Sequence, residues 1–225
     1  MRQFDPDHPL IVIHVPKAAG SSSRRIFEAW FEEGFLTHYF SEADGSMPKK
    51  HDIFRMHTQE KPICLHGHFN RLRKFGVQDY YPEAKQFITI LRDPFELTIS
   101  HYFYTKKVGD TWLDQTRIPK EEIINHLLSS KPNMLNHFPR DVTFENYKDI
   151  IEEFFIGIGI TEYLNTSMQK IANKLNFPYN PKLLGHHNAT ERDQEIPSDF
   201  RDIFIEKNPL EFAVYDYALK KHINN

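Results

Sequence analysis

Three short stretches of this chain bring reactive side chains to the ends of apolar runs. The first reads Leu10-Ile11-Val12-Ile13-His14-Val15-Pro16-Lys17-Ala18-Ala19-Gly20-Ser21-Ser22-Ser23, an apolar run that breaks into a small-residue turn with one lysine and three hydroxyls. Such a turn lets backbone N–H groups converge at the start of the next helix, where the partial positive charge of the helix terminus also lies. Phosphate binds at such places. Lys17, Ala18, Ala19, Gly20, Ser21 and Ser22 are the candidate lining, although a strand-turn-helix without a ligand uses the same residue types. Nucleotide kinases place the lysine after two spaced glycines; here Lys17 comes first. The second stretch, Phe87-Ile88-Thr89-Ile90-Leu91-Arg92-Asp93-Pro94-Phe95-Glu96, is another apolar run, delivering an arginine to its end. A helix is predicted to follow, with Asp93 as N-cap, Pro94 at the first helical position and Glu96 completing a capping box. The planar fork of Arg92 can pair with two oxygens of a phosphate, and Ser100 follows eight residues later. A salt-bridged helix start would account for Arg92 equally well. The third stretch is Ile63-Cys64-Leu65-His66-Gly67-His68-Phe69. Two imidazoles around a glycine suit a metal or a general base, but no cysteine or carboxylate lies at ligand spacing, and a zinc site needs at least three protein ligands.

In their order along the chain, with the His66 to His68 stretch between the other two, these segments resemble the PAPS-dependent sulfotransferases, in particular the carbohydrate (heparan sulfate 2-O-like) family, whose loop reads roughly His-hydrophobic-Pro-Lys-Thr-Gly-Gly-Thr-Ser. Ala18 and Ala19 depart from that wording by one hydroxyl and one glycine. The resemblance implies a 5′-phosphosulfate loop over Lys17 to Ser22 and a 3′-phosphate site at Arg92 and Ser100. It also implies a catalytic base at His68, with His66 orienting it or touching the acceptor. Lys17 would offset the charge gathering on the leaving oxygen, and no metal is required. Leu97 stands where the family often has a second arginine and is expected to be structural. The step Gly159-Ile160-Thr161-Glu162, the late loop Gly185-His186-His187-Asn188-Ala189-Thr190 and a closing amphipathic helix from Pro209 to Ala218 extend the likeness along nearly the whole chain. The late loop comes near the nucleotide in relatives.

The donor implied is PAPS (3′-phosphoadenosine 5′-phosphosulfate), and the acceptor a hydroxyl of a carbohydrate or other small molecule whose identity the sequence does not reveal. A nucleotide-dependent kinase would share the loop but should carry a lysine after the loop glycine and an acidic residue for Mg²⁺. A protein that holds PAPS or its product without catalysis would keep Lys17 and Arg92 yet tolerate loss of His68.

The elements that must position these groups fit one domain over residues 1–225. The chain has 225 residues, 40% of them hydrophobic, enough for a full core. With 28 basic and 31 acidic residues the net charge is −3, which argues against general nucleic-acid binding. Arg71, Arg73, Lys74, Lys106 and Lys107 offer a local basic rim for an anionic acceptor, or simply a solvated face. The single cysteine, Cys64, forms no internal disulfide and reads as core. The N-terminus lacks a signal-peptide apolar region, and no apolar run approaches the roughly 18 to 20 residues of a membrane span. A cytoplasmic protein is the expectation, either a bacterial-style soluble member or a catalytic domain separated from the anchor that many animal members carry. Oligomeric state is not legible, and the Asn165 and Asn188 glycosylation triplets are incidental without a secretory signal.

Strands alternating with helices predict an α/β chain, a P-loop-like three-layer fold with a central parallel sheet flanked by helices, whose ligands gather at the carboxyl ends of the strands. A helix over about Ser22 to Glu33 buries Ile26, Phe27, Trp30 and Phe31. Residues 34–61 read as irregular, either a flap or a surface loop. A helix opens at Ile118 and runs toward Leu128, followed by a turn at Ser-Ser-Lys-Pro-Asn. A last strand spans Phe154 to Ile160, and the next helix presents Leu164, Met168, Ile171 and Leu175. Tyr102-Phe103-Tyr104 suits core, acceptor platform or subunit contact.

Overall fold

Strand β1 (Leu10–Ile13) consists of four consecutive apolar residues, each 2% exposed or less, as a strand covered on both faces requires. A computed structural model of the chain describes residues 1–185, 194, 196, 197 and 199–224. Within them β1 is the centre of a parallel sheet, with β2 (Phe35–His38), β3 (Cys64–Gly67), β4 (Phe87–Leu91) and β5 (Phe155–Ile160) in the order β2-β3-β1-β4-β5. The helices are α1 (Gly20–Phe31), α2 (Ile53–Met56), α3 (Val77–Tyr80), α4 (Pro94–Val108), α5 (Ile123–Ser129), α6 (Tyr147–Phe154), α7 (Leu164–Leu175), α8 (Asp199–Lys207) and α9 (Pro209–Asn224).

Successive side chains of a strand point to opposite faces, and the two cores divide β1 accordingly. Ile11 and Ile13 join Leu65, Phe87, Leu91 and Phe155 under α6 and α9. Leu10 and Val12 join Cys64, Ile88, Ile90 and Ile156 under α1 and α7. Cys64 is fully buried, and burial pushes its thiol up. A third cluster gathers Phe95, Ile99, Tyr102 and Phe103 of α4 with Ile123 and Leu127 of α5 and Phe204 of α8. The three-layer parallel architecture expected from the sequence is therefore present.

β5 closes one edge of the sheet, and α7 lies close over it because Gly157 and Gly159 present no side chain: a Cβ on Gly159 would stand 3.2 Å from that of Ser167. The Ser167 hydroxyl accepts from Ile160 N (2.9 Å) and donates to Ile160 O (3.2 Å), while Lys174 Nζ donates to Ile156 O (2.8 Å). Edge groups that would otherwise offer a template to another strand are occupied by one helix.

The structure departs from the sequence expectations at two elements. Residues 34–61 are not irregular throughout: Phe35–His38 form the other edge strand, and α2 begins at Asp52, whose carboxylate accepts from Arg55 N. A four-residue edge strand with only His38 fully buried carries too little alternation to register as a period. Helix α5 starts at Ile123 rather than Ile118, leaving Pro119 outside it.

Candidate functional site

The connection leaving β1 runs to the β2 edge and the one leaving its neighbour β4 runs to the opposite edge at β5, so the chain departs from these adjacent strands in opposite directions and a crevice opens beyond their carboxyl ends. His14 N extends the ladder by donating to Gly67 O at 2.8 Å, and the chain then turns, Ala18 N donating to Val15 O at 3.1 Å. Lys17 (φ 68°) and Ala19 (φ 58°) are both left-handed without being glycine. Each such residue costs roughly 1–2 kcal/mol, and left-handed residues in a tight turn are what aims successive N–H groups into one concavity. Among the described residues no backbone hydrogen bond uses the N–H groups of Ala19, Gly20 or Ser21, and α1 begins without a side-chain cap. Ala18 is buried, Ser21 is exposed, Ser22 is 8% exposed, and Ser23 turns inward to donate to Gly20 O at 3.1 Å. Gly20 is required where it stands, because a Cβ there would overlap the His14 ring.

Arg92, at the end of β4, donates from Nη1 to the Lys17 carbonyl at 3.1 Å and lies 3.5 Å from Glu96. Asp93 caps α4 as expected, accepting from Phe95 N (3.0 Å) and Glu96 N (3.1 Å), but the box is closed by another residue. Glu162 Oε1 accepts from Asp93 N at 3.1 Å, because Glu96 has turned to Arg92. Residues four apart share a helix face, so Glu96, Ser100 and Tyr104 line one side of α4. Lys17 Nζ stands 4.1 Å from the Tyr104 ring centroid on that side. Burial, Arg92 and Lys107 lower the Lys17 ammonium from its usual range. Ser100 is 6% exposed, and Leu97 is in the main core at 1%. Tyr102 and Phe103 are buried, which makes Tyr104 the member of that triplet that faces the loop.

Beside this corner lies a cluster of imidazoles. His68 follows β3, its N–H donating to His38 O at 2.9 Å. Its ring stands 4.5 Å from that of His14, 4.8 Å from Tyr39 and 6.3 Å from His137. His68 Nε2 is buried with no partner among the described residues, and burial holds the ring down to about 4. His66 has no exposed surface; its Nδ1 is 2.8 Å from the Tyr39 hydroxyl, which is 3.1 Å from His14 Nδ1. One of these bonds the Tyr39 O–H donates, and in the other its oxygen accepts from a ring N–H, so the two imidazoles hold opposite Nδ1 states. Burial brings His66 to about 3, His137 to about 3 and His101, on α4, to about 4.

His14, Tyr39, His101 and His137 were given no role on sequence grounds. They come from four separate segments, and only His14, a polar residue interrupting an apolar run beside Lys17, left any mark. The basic rim is partly spent: Arg73 and Arg117 both pair with Glu42, and Arg71 with Asp141. Of the expected late loop only Gly185 is described, its N donating to Ser22 O at 3.2 Å; residues 186–190 lie outside the described residues. Among the described residues no group of three or more His, Cys, Asp or Glu side chains is arranged to hold a metal, and no helix is long and apolar enough to cross a membrane.

No protein of curated function matches the chain. The crystal structure of mouse sulfotransferase SULT7A1 complexed with PAP aligns with 97% of this chain and 86% of that one, at 11% identity and a TM-score of 0.47. A profile of the sulfotransferase family matches residues 3–156, a span holding the Lys17 loop, the His68 strand and the Arg92 corner, and the chain belongs to that family.

Proposed function

We propose that the protein moves a sulfuryl group from PAPS to a hydroxyl of a carbohydrate or other small molecule by in-line displacement, with His68 as general base. The observation that carries this reading is the hydrogen bond from Arg92 to the Lys17 carbonyl. It joins two cations from distant segments at one strand-end crevice, beside a half-buried imidazole whose Nε2 is itself buried and has no protein partner among the described residues. The residues fit the donor: the left-handed turn, Ser21 and Ser22 suit a 5′-phosphate, and Arg92 with Ser100 suits a 3′-phosphate.

His68 accepts the acceptor's hydroxyl proton as the new oxygen–sulfur bond forms and the bond from sulfur to the 5′-phosphate oxygen breaks. The electron pair leaves on that oxygen, where the Lys17 ammonium offsets it. A positioned base of this kind contributes roughly 10²–10⁴-fold in rate. Burial keeps His68 neutral at pH 7 and so able to accept the proton. His66, wholly buried, acts through Tyr39 and His14 to orient His68 and does not touch the acceptor. Residues 1–225 act as one sulfotransferase-like domain, since α8 and α9 close on the Asp93 corner through Arg201 and Tyr215.

Calorimetric titration with 3′-phosphoadenosine 5′-phosphate (PAP), alongside ADP with and without Mg²⁺, tests the donor assignment. Metal-independent binding that favours PAP and collapses in Arg92→Ala is expected. Equal or tighter binding of Mg·ADP, insensitive to Arg92→Ala, would overturn it in favour of a kinase.

A further inference from the structure

Arg92 is placed one residue from a carboxylate, Asp93, and a guanidinium beside a buried carboxylate has an obvious partner. Yet Arg92 reaches away, to the Lys17 carbonyl and Glu96. The reason lies in how Asp93 is filled. Its Oδ1 accepts from Phe95 N and Glu96 N, and Arg201 of α8 lays its guanidinium across both oxygens, at 3.0 Å to Oδ1 and 2.5 Å to Oδ2. Three of these donors meet Oδ1 and one meets Oδ2, and the Arg201 guanidinium among them neutralises the Asp93 carboxylate, which is only 8% exposed. The backbone of the same residue is fixed from the other side by Glu162, whose second oxygen accepts from the Tyr215 hydroxyl at 3.0 Å. Arg201 lies outside the residues matched by the family profile.

We infer that Arg201 is a positioning residue for donor recognition: by neutralising Asp93 it keeps the Arg92 guanidinium turned toward the Lys17 loop, where it can meet a 3′-phosphate. This rests on the assignment of Arg92 made above. Arg201 also has a plain docking contact, its guanidinium lying 5.7 Å from the Phe95 ring and 5.8 Å from the Phe212 ring. Docking and positioning differ in what they do to selectivity. Loss of docking alone loosens α8 and weakens every nucleotide alike. Loss of the neutralising charge leaves a buried anion that draws Arg92, and only the 3′-phosphate loses its partner.

The measurement is the ratio of affinities for PAP and adenosine 5′-phosphate, which differ by the 3′-phosphate alone, in wild type, Arg201→Ala, Arg201→Lys and the double variant Arg201→Ala/Asp93→Asn. Wild type is expected to prefer PAP. Arg201→Ala should lower that preference about tenfold or more, the size of one charge-assisted contact. Arg201→Lys, which keeps the charge but cannot span both oxygens, should fall between, and it supplies the same ratio if Arg201→Ala does not fold. The double variant should recover much of the preference, because an asparagine side chain at that position can still cap α4 and, being neutral, no longer competes for Arg92. A wild type without preference overturns the Arg92 assignment and this inference with it. A wild-type preference that survives in Arg201→Ala or Arg201→Lys while both affinities fall together overturns the inference alone and leaves Arg201 as a docking residue.

Discussion

An imidazole buried away from water stays neutral to a lower pH than a free one, and His68 is held at about 4 by that effect, with the Glu42 carboxylate pulling weakly the other way. A general base must be unprotonated. With its ordinary value His68 would impose a fall in kcat/KM near pH 6.5; in this environment the fall moves toward pH 4. We expect kcat/KM to stay level from pH 7 to pH 5.5, with far-UV circular dichroism confirming the native fold, and a limb centred near 6.5 would remove His68 from the role. His68→Asn should lose roughly 10²–10⁴-fold in kcat. Lys17, Arg92 and His68 were legible in the sequence because each ends an apolar run in a short segment. His14, Tyr39, His101 and His137 were not, since a single histidine or tyrosine in an unpatterned segment looks the same whether it ends in a core or beside a base. Glu96 misled for a related reason. Spacing correctly places a carboxylate one turn into α4, but spacing does not show that Arg92 would claim it and that Glu162, nearly seventy residues on, would close the cap.

At the level of elements, the sheet was readable where its strands are buried on both faces and unreadable at the β2 edge. Apolar runs at Leu10–Ile13, Phe87–Leu91 and Phe155–Ile160 announce themselves, whereas Phe35–His38 is held by pairing with β3 more than by its own pattern. Helix α5 shows the same limit: Pro119 and Glu122 both suit a helix start, and the chain uses Glu122. The opposite edge yields a sharper test. Ser167 satisfies both the N–H and the C=O of Ile160, two groups inside a buried strand. Ser167→Ala removes the partner of each without relieving either of its need, so a loss of about 1–3 kcal/mol is expected. A lower urea midpoint at unchanged slope would show it; a shift worth less than about 0.5 kcal/mol, the usual size for an inconsequential site, would mean that the helix packing alone secures that edge.

The buried imidazoles also act on the molecule as a whole. His38, His68 and His101 at about 4, and His66 and His137 at about 3, remain neutral in the fold at pH values where an unfolded chain, titrating near 6.5, has taken up protons. The unfolded state then binds more protons, so stability rises with pH across that window and is lost as pH falls from about 6.5 toward 4. Glu211 works against this. Burial raises its carboxyl to about 8, so it costs stability as pH rises from about 4.5 to 8. Between 4.5 and 6.5 five imidazoles outweigh one carboxyl, and each contributes a slope of up to about 1.4 kcal/mol per pH unit. Urea midpoints should therefore drop steeply from pH 7 to pH 5, and a midpoint that is flat or rises over that interval would contradict the cluster's burial. Glu211→Gln should raise the midpoint at pH 8 by more than at pH 5. The placing of β1 at the centre of the sheet has a further consequence, in time rather than in energy. Leu10 pairs with Cys64 and Ile11 with Phe87, so His14 and Lys17 reach His68 and Arg92 only after two long loops have closed. Non-local pairing of this kind folds slowly. The crevice is thus completed by the same late events that complete the sheet, so no early fragment of the folding chain carries a working site.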